Sequence, residues 1–230
     1  MYANNEIGTI QPIGELCGIA RNAGALFHTD AVQAVGHIPL NVRELGVDML
    51  SASAHKFHGP KGIGFLYIRK GVSIAPYLDG GAQEHSLRAG TENIASIVGM
   101  AVALKNSCRT LREDISYVMG LEQMLLRELS ESGVSFVHNG AESARLPGLL
   151  SLSFPGRDGE MILHRMDLMG ICISTGSACD SQNTRISHVL RSIGLEPHTA
   201  KGTVRISLGK ENTPEEVSQI ISALRKILDS

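Results

Sequence analysis

The chain has 230 residues, 43% hydrophobic and 19% charged, with a formal net charge of −2. This suffices for one large domain or two modest ones, and without a basic block or an interleaved aromatic and Arg/Lys stripe it argues against nucleic acid as the main partner. No apolar run reaches the roughly 18 residues that span a bilayer, and the N-terminus lacks a charged region followed by an apolar run, so no membrane contact is expected and the protein reads as cytoplasmic.

The first segment, MYANNEIGTIQPIG, reads as a loop following a strand that is not in the chain, so the expectation is an incomplete chain. PIGELCGIARNAGA, from Pro12, has helical spacing and a Gly stop; the apolar run ALFHTDA follows, then NVRELGVDMLSASAHK, in which GVDML reads as a buried strand. Helix alternating with short buried strand signals an α/β layer with a parallel sheet. GIGFLYIRK, from Gly62, adds a strand. After Thr91, a proline-free run with helical periodicity predicts two helices or one long bent one bridging two domains, 1–110 and 111–230. Beyond Gly133, VSFVHN, LLSLSFP, GICIS and GTVRISLG read as strands, and GEMILHRMDLMG, RISHVLRSIG and a segment from Pro214 as helices, forming a smaller α+β domain. Thr213 and Glu216 stand as a capping box for the last helix.

Chemistry gathers at strand ends. Lys56, in SASAHKFHGPKGIG, is either a surface lysine after a strand or an amine set to attack a carbonyl, whose commonest use is a Schiff base with pyridoxal 5′-phosphate (PLP). Ser53 and His55 supply donors beside it, while His55 with His58 fits polar residues at a strand end better than a metal pair, and no metal is expected. Asp30, in FHTDAVQ, is either a helix N-cap or the carboxylate that keeps a PLP ring nitrogen protonated, with Gln33 in reach of the same ligand. Together Asp30 and Lys56, at the ends of successive strands, make a joint signal that neither makes alone.

Of four cysteines (Cys17, Cys108, Cys172 and Cys179), none forms a CxxC pair. Cys179, in STGSACDSQNTRISHVL, is loop-borne, where an ordinary thiol pKa of about 8.5 is lowered by nearby cations or a helix N-terminus. The other three read as core or helix-surface residues, with Cys172 in the strand GICIS. Arg205, in GTVRISLG, is either a plain strand arginine or a carboxylate clamp.

ANNEIGTIQP, FHTDAVQ, SASAHKFHGPKGIG, LRAGTEN, STGSACDS and VRISLG occur in the order and spacing found in NifS-like cysteine desulfurases, PLP enzymes of the class V aminotransferase group, and the chain resembles them along nearly its whole length. The resemblance implies the later part of a PLP fold type I large domain, mainly a parallel sheet, followed by the small C-terminal domain. It makes Lys56 the Schiff-base lysine, puts Asp30 on the ring nitrogen, Gln33 on the ring phenolate, and Ser53 and His55 on the phosphate. Asn5 and Arg205 would hold the substrate carboxylate, and Thr91 would reach the phosphate in a neighbouring subunit of a homodimer. Cys179 would take sulfur from L-cysteine as a persulfide and pass it to a sulfur-acceptor or scaffold protein, leaving alanine. The short STGSAC form resembles the branch with a long mobile cysteine loop.

Two departures accompany the resemblance. His85 and Ser86 stand where relatives commonly have arginine and glycine, and the family's preceding segment, with its phosphate-binding loop and ring-stacking histidine, is expected to be missing. A truncated desulfurase that binds PLP weakly or not at all is therefore the leading expectation. The alternatives are half of a split enzyme, a selenocysteine lyase-like enzyme, and a non-catalytic dimerisation or scaffold-binding module.

Overall fold

A computed structural model describes residues 1–176 and 186–229. The chain divides into two units, one of residues 1–2 and 11–111, the other of residues 3–10 and 112–230.

The first unit holds α1 (Ile13–Asn22), β1 (His28–Asp30), α2 (Val42–Leu45), β2 (Met49–Ser53), β3 (Gly64–Ile68), a single turn α3 (Gln83–Ser86), and the start of α4 (Ile94–Glu131). β1 and β2 pair in parallel with Asp30 opposite Ser51, and β3 pairs antiparallel to β2 with Ser53 opposite Gly64. The reversal follows from connection length: β1 and β2 are joined through a crossover carrying α2, whereas residues 54–63 are too few for a parallel crossover. Alternation along the strands sends Thr29, Leu50 and Ala52 to a buried face, and Asp30, Ser51 and Ser53 to the other, less buried one. β2 is secured at its start by Asp48, whose carboxylate accepts from the Phe27 amide at 2.8 Å and from the Arg69 guanidinium at 2.5 and 2.8 Å.

The second unit takes the remainder of α4 with β4 (Val137–His138), β5 (Leu149–Ser153), α5 (Gly159–Leu168), α6 (His188–Ser192), α7 (Pro197–Ala200), β6 (Thr203–Ser207) and α8 (Pro214–Leu228). β5 is central in an antiparallel β4–β5–β6 sheet and is buried on both faces. Leu150 and Leu152 meet Leu121, Leu125 and Leu129 of α4, Ile162 and Met166 of α5, and Val217, Leu224 and Ile227 of α8 in one apolar cluster. Beside it Asn139 Nδ2 donates to Ser151 and Ser153, and Ser153 bonds Thr203 at 2.6 Å, while Asn139 Oδ1 is buried with no hydrogen-bond partner among the described residues. α8 starts with the expected capping box between Thr213 and Glu216.

One open expectation is settled and two are revised. α4 is one helix of 38 residues, since nothing in its interior is a proline and its glycines, Gly99 and Gly120, are tolerated singly. GICIS forms no regular strand; only Ser174 bridges Arg205, and Cys172 is exposed. The segment after Asp30 forms turns rather than a regular helix.

Candidate active site

In the first unit the site starts where β1 and β2 end, because parallel strands release their chains, and their polar residues, at the C-terminal edge of the sheet. Asp30 is the last residue of β1 and half-buried. Its Oδ1 accepts the Val32 amide at 2.9 Å, so the carboxylate does cap the following turn. Oδ2 accepts nothing from the described residues. Gln33, also half-buried, lies in that turn.

Ser53 closes β2, and the chain then winds into a 3₁₀ turn, Ala54–Phe57, that carries His55 and Lys56. The turn is fixed at every corner. Phe57 is fully buried, which contributes about 1.5–3 kcal/mol of hydrophobic anchoring. The Ala54 amide donates to Ile63 O at 3.0 Å, and the Gly59 amide to Ala54 O at 2.8 Å. Gly59 has no alternative, since a Cβ there would lie 2.9 Å from the Ala54 Cβ. The carbonyls at the end of a helical turn need outside partners; Lys56 O bonds His37 Nε2 at 2.6 Å and Phe57 O accepts Ser107 Oγ at 3.4 Å. The Lys56 side chain is half-buried, and its amine makes no hydrogen bond or ion pair with a described residue. His55 is exposed.

Thr91 is exposed on the segment before α4, where Arg88 Nη1 donates to Gly90 O at 2.9 Å. Among the described residues Thr91 makes no hydrogen bond with Asp30 or Lys56.

In the second unit, Arg205 lies on β6, where its Nη1 donates to Asn5 O at 2.9 Å and its Nη2 to Ser174 Oγ at 3.4 Å. Asn5 and Arg205 are therefore neighbours although they stand 200 positions apart in the sequence. The turn holding Asn5 is formed by Asn4, whose Oδ1 accepts the amides of Glu6 and Ile7 at 2.8 and 3.0 Å. Cys179 lies outside the described residues. Among the described residues no group of three or more His, Cys, Asp or Glu is placed to hold a metal ion, and no helix is long and apolar enough to cross a membrane.

Sequence reasoning passed over His37 and Ser107, which hold the lysine turn without touching the lysine's amine. Gly36 brings His37 there: it has a φ of +80°, and a Cβ at that position would lie 2.7 Å from the Phe57 Cβ.

The donor set fits PLP. A carboxylate with one oxygen and a primary amine that have no partner among the described residues, and the Ser53 hydroxyl, stand at adjoining strand ends, which is the chemistry a protonated ring nitrogen, an aldehyde carbon and a phosphate require.

The chain is 49% identical over 230 residues to the cysteine desulfurase IscS of Dictyoglomus turgidum, covering 100% of the chain and 58% of that protein. It is 44% identical over 228 residues to IscS of Methanosarcina thermophila, covering 99% of the chain and 56% of that protein. The chain thus spans about 58% of the length of the curated relatives it matches. Among solved structures, a NifS-like protein from Rickettsia africae superposes with a TM-score of 0.90 at 34% identity, over 100% of this chain and 61% of that one. Another NifS-like protein gives 0.89 at 40% identity, over 100% and 60%. The family model for class-V aminotransferases matches residues 1–220, and the chain belongs to that family.

Proposed function

We propose that the protein is a PLP-dependent cysteine desulfurase that converts L-cysteine to L-alanine and keeps the sulfur as a persulfide on Cys179. The observation that carries this reading is the placement of Asp30 at the end of β1 and of Lys56 on the turn that follows the parallel β2, each with its functional atom uncommitted among the described residues. Relatives named cysteine desulfurase support the reaction class, and the structure of one 32% identical relative, SspA, is described as a complex with cysteine, which supports the substrate.

PLP, when bound, supplies an electron sink for the carbon that loses its α-proton. Lys56 would anchor it, and its Nζ would be the base that takes that proton. Asp30 Oδ2 would hold the proton on the ring nitrogen, Gln33 would serve the ring oxygen, and Ser53 and His55 would donate to the phosphate. Arg205, already aligned on a rigid strand beside Asn5, pairs with the substrate carboxylate. The Cys179 thiolate attacks the sulfur of cysteine; the substrate carbon–sulfur bond breaks, a sulfur–sulfur bond forms, and the carbon skeleton takes up one proton at Cβ and one at Cα to leave as alanine. The persulfide then passes to an acceptor or scaffold protein, with iron–sulfur cluster assembly as the use suggested by the IscS relatives. We place the enzyme in the cytoplasm, in keeping with the free thiols of Cys17, Cys108 and Cys172.

The enzyme acts as a homodimer in which Thr91 serves the phosphate of the neighbouring subunit. Exposed Thr91 is followed on α4 by Ile94, Val98 and Val102, 69%, 56% and 54% exposed and one helical turn apart, an apolar stripe that suits a self-complementary interface.

The test is cofactor capture by the product of the whole gene. Addition of PLP yields a stoichiometric yellow complex that is lost in Lys56→Ala and is weakened in Asp30→Asn. A yellow complex that persists unchanged in Lys56→Ala refutes the assignment.

A further inference from the structure

His37 is a buried-side neighbour of the lysine turn that the reaction chemistry does not use. Its Nε2 lies 2.6 Å from the Lys56 carbonyl oxygen. A carbonyl only accepts, so the imidazole must carry its proton on Nε2. The contact is built rather than incidental, since Gly36, at a φ of +80°, lets this segment approach Phe57 more closely than any side chain at that position would allow. Burial holds the His37 pKa below the ordinary histidine value and so favours the neutral ring; the hydrogen bond to the Lys56 carbonyl works against this, and the charges of His58 and Lys56 add to it.

We propose that His37 is a positioning residue for the desulfurase reaction: its Nε2–H grips the main-chain carbonyl of Lys56 and so fixes the direction in which that lysine's side chain leaves the 3₁₀ turn. The inference rests on Lys56 being the cofactor-anchoring lysine. Two features make the grip consequential. The turn is a single one, Ala54–Phe57, with no helical continuation to stiffen it, and it ends on His58 in the left-handed region. Ser107 holds the neighbouring carbonyl of Phe57, but at the longer distance of 3.4 Å, so His37 makes the tighter of the two side-chain bonds to the turn. Without it, Lys56 O has no intrahelical partner to fall back on.

The experiment traps PLP on the whole-gene product with borohydride and maps the modified lysines, using the exposed Lys61 and Lys70 as internal references. Wild type is modified preferentially at Lys56. His37→Leu, which keeps the bulk and removes the donor, loses about ten-fold of that preference, as a small misplacement of a reacting group allows. His37→Gln, which restores an N–H donor, returns to within about two-fold of wild type. Lys56 labelling in His37→Leu equal to wild type overturns the inference alone, whereas a wild type with no preference for Lys56 overturns the reading of Lys56 itself. Should His37→Leu fail to fold by thermal melt, the imidazole nitrogen resonances of wild type decide: an Nε2–H tautomer upholds the grip and an Nδ1–H tautomer overturns it.

Discussion

Two carboxylate and imidazole sites show how single residues set the pH range of the fold. Asp48 is held below the ordinary carboxylate range, first by the Phe27 amide and then by Arg69. A depressed carboxylate contributes stability above its unfolded pKa and loses it as pH falls through the lower folded value. Asp48→Asn, which leaves the Arg69 guanidinium without a charged partner, is expected to cost about 1.5–3 kcal/mol, read as a lower urea midpoint at neutral pH; an unchanged midpoint contradicts this. His138 is pushed down to about 4, mainly by burial and further by Arg145, whose Nη1 meets its Nε2. Its folded pKa lies below the ordinary 6.5, so the unfolded chain binds more protons between those values, and the stabilisation is complete above about 6.5 and drains away toward pH 4. His138→Gln keeps an acceptor for Arg145 without titrating, so melting temperature should fall less steeply from pH 6.5 to 4.5 than in wild type. Parallel slopes would count against the account.

The short elements around the lysine show what local patterns reveal and where they stop. FHTDAVQ and SASAHKFHGPKGIG could be read as strand ends carrying Asp30 and Lys56, because buried alternation and Gly/Pro turns are short-range signals. That Lys56 would ride a 3₁₀ turn pinned by His37 and Ser107 was not legible, since those contacts cross 19 and 50 positions and leave no periodicity. GICIS reads as a short strand in the sequence, yet it pairs only at Ser174; strand propensity reports a fit to a sheet face, and here the neighbouring strand offers one bridge. The close approach at Gly36 gives the element-scale prediction. Gly36→Ala should destabilise by about 1–3 kcal/mol for a non-glycine residue held at positive φ, with hydrogen exchange rising across residues 54–59; unchanged exchange there contradicts the packing described. Thr213→Ala, which breaks one arm of the α8 capping box, should cost about 1 kcal/mol and leave that exchange unaltered.

For the whole molecule, order and spacing of six motifs carried the family, and the antiparallel sheet built on β5 with its α4, α5 and α8 cover follows from ordinary hydrophobic patterning. Unpartnered surface was harder to see: the apolar periodicity of α4 predicts a helix, but does not say which of its stripes stays exposed. The Ile94, Val98 and Val102 stripe predicts a dimer by light scattering, and Val98→Glu should weaken it at least about ten-fold by placing like charges on a two-fold interface; a dimer indifferent to that change removes the stripe from the interface. The central claim is tested most directly by incubating the whole-gene product with PLP and L-cysteine, then measuring alanine and the mass of the Cys179 peptide. Alanine with one added sulfur on Cys179, both abolished in Lys56→Ala and the sulfur abolished in Cys179→Ser, is the predicted result. Sulfur accumulating on Cys17, Cys108 or Cys172 instead, or alanine forming at the wild-type rate in Lys56→Ala, would contradict it.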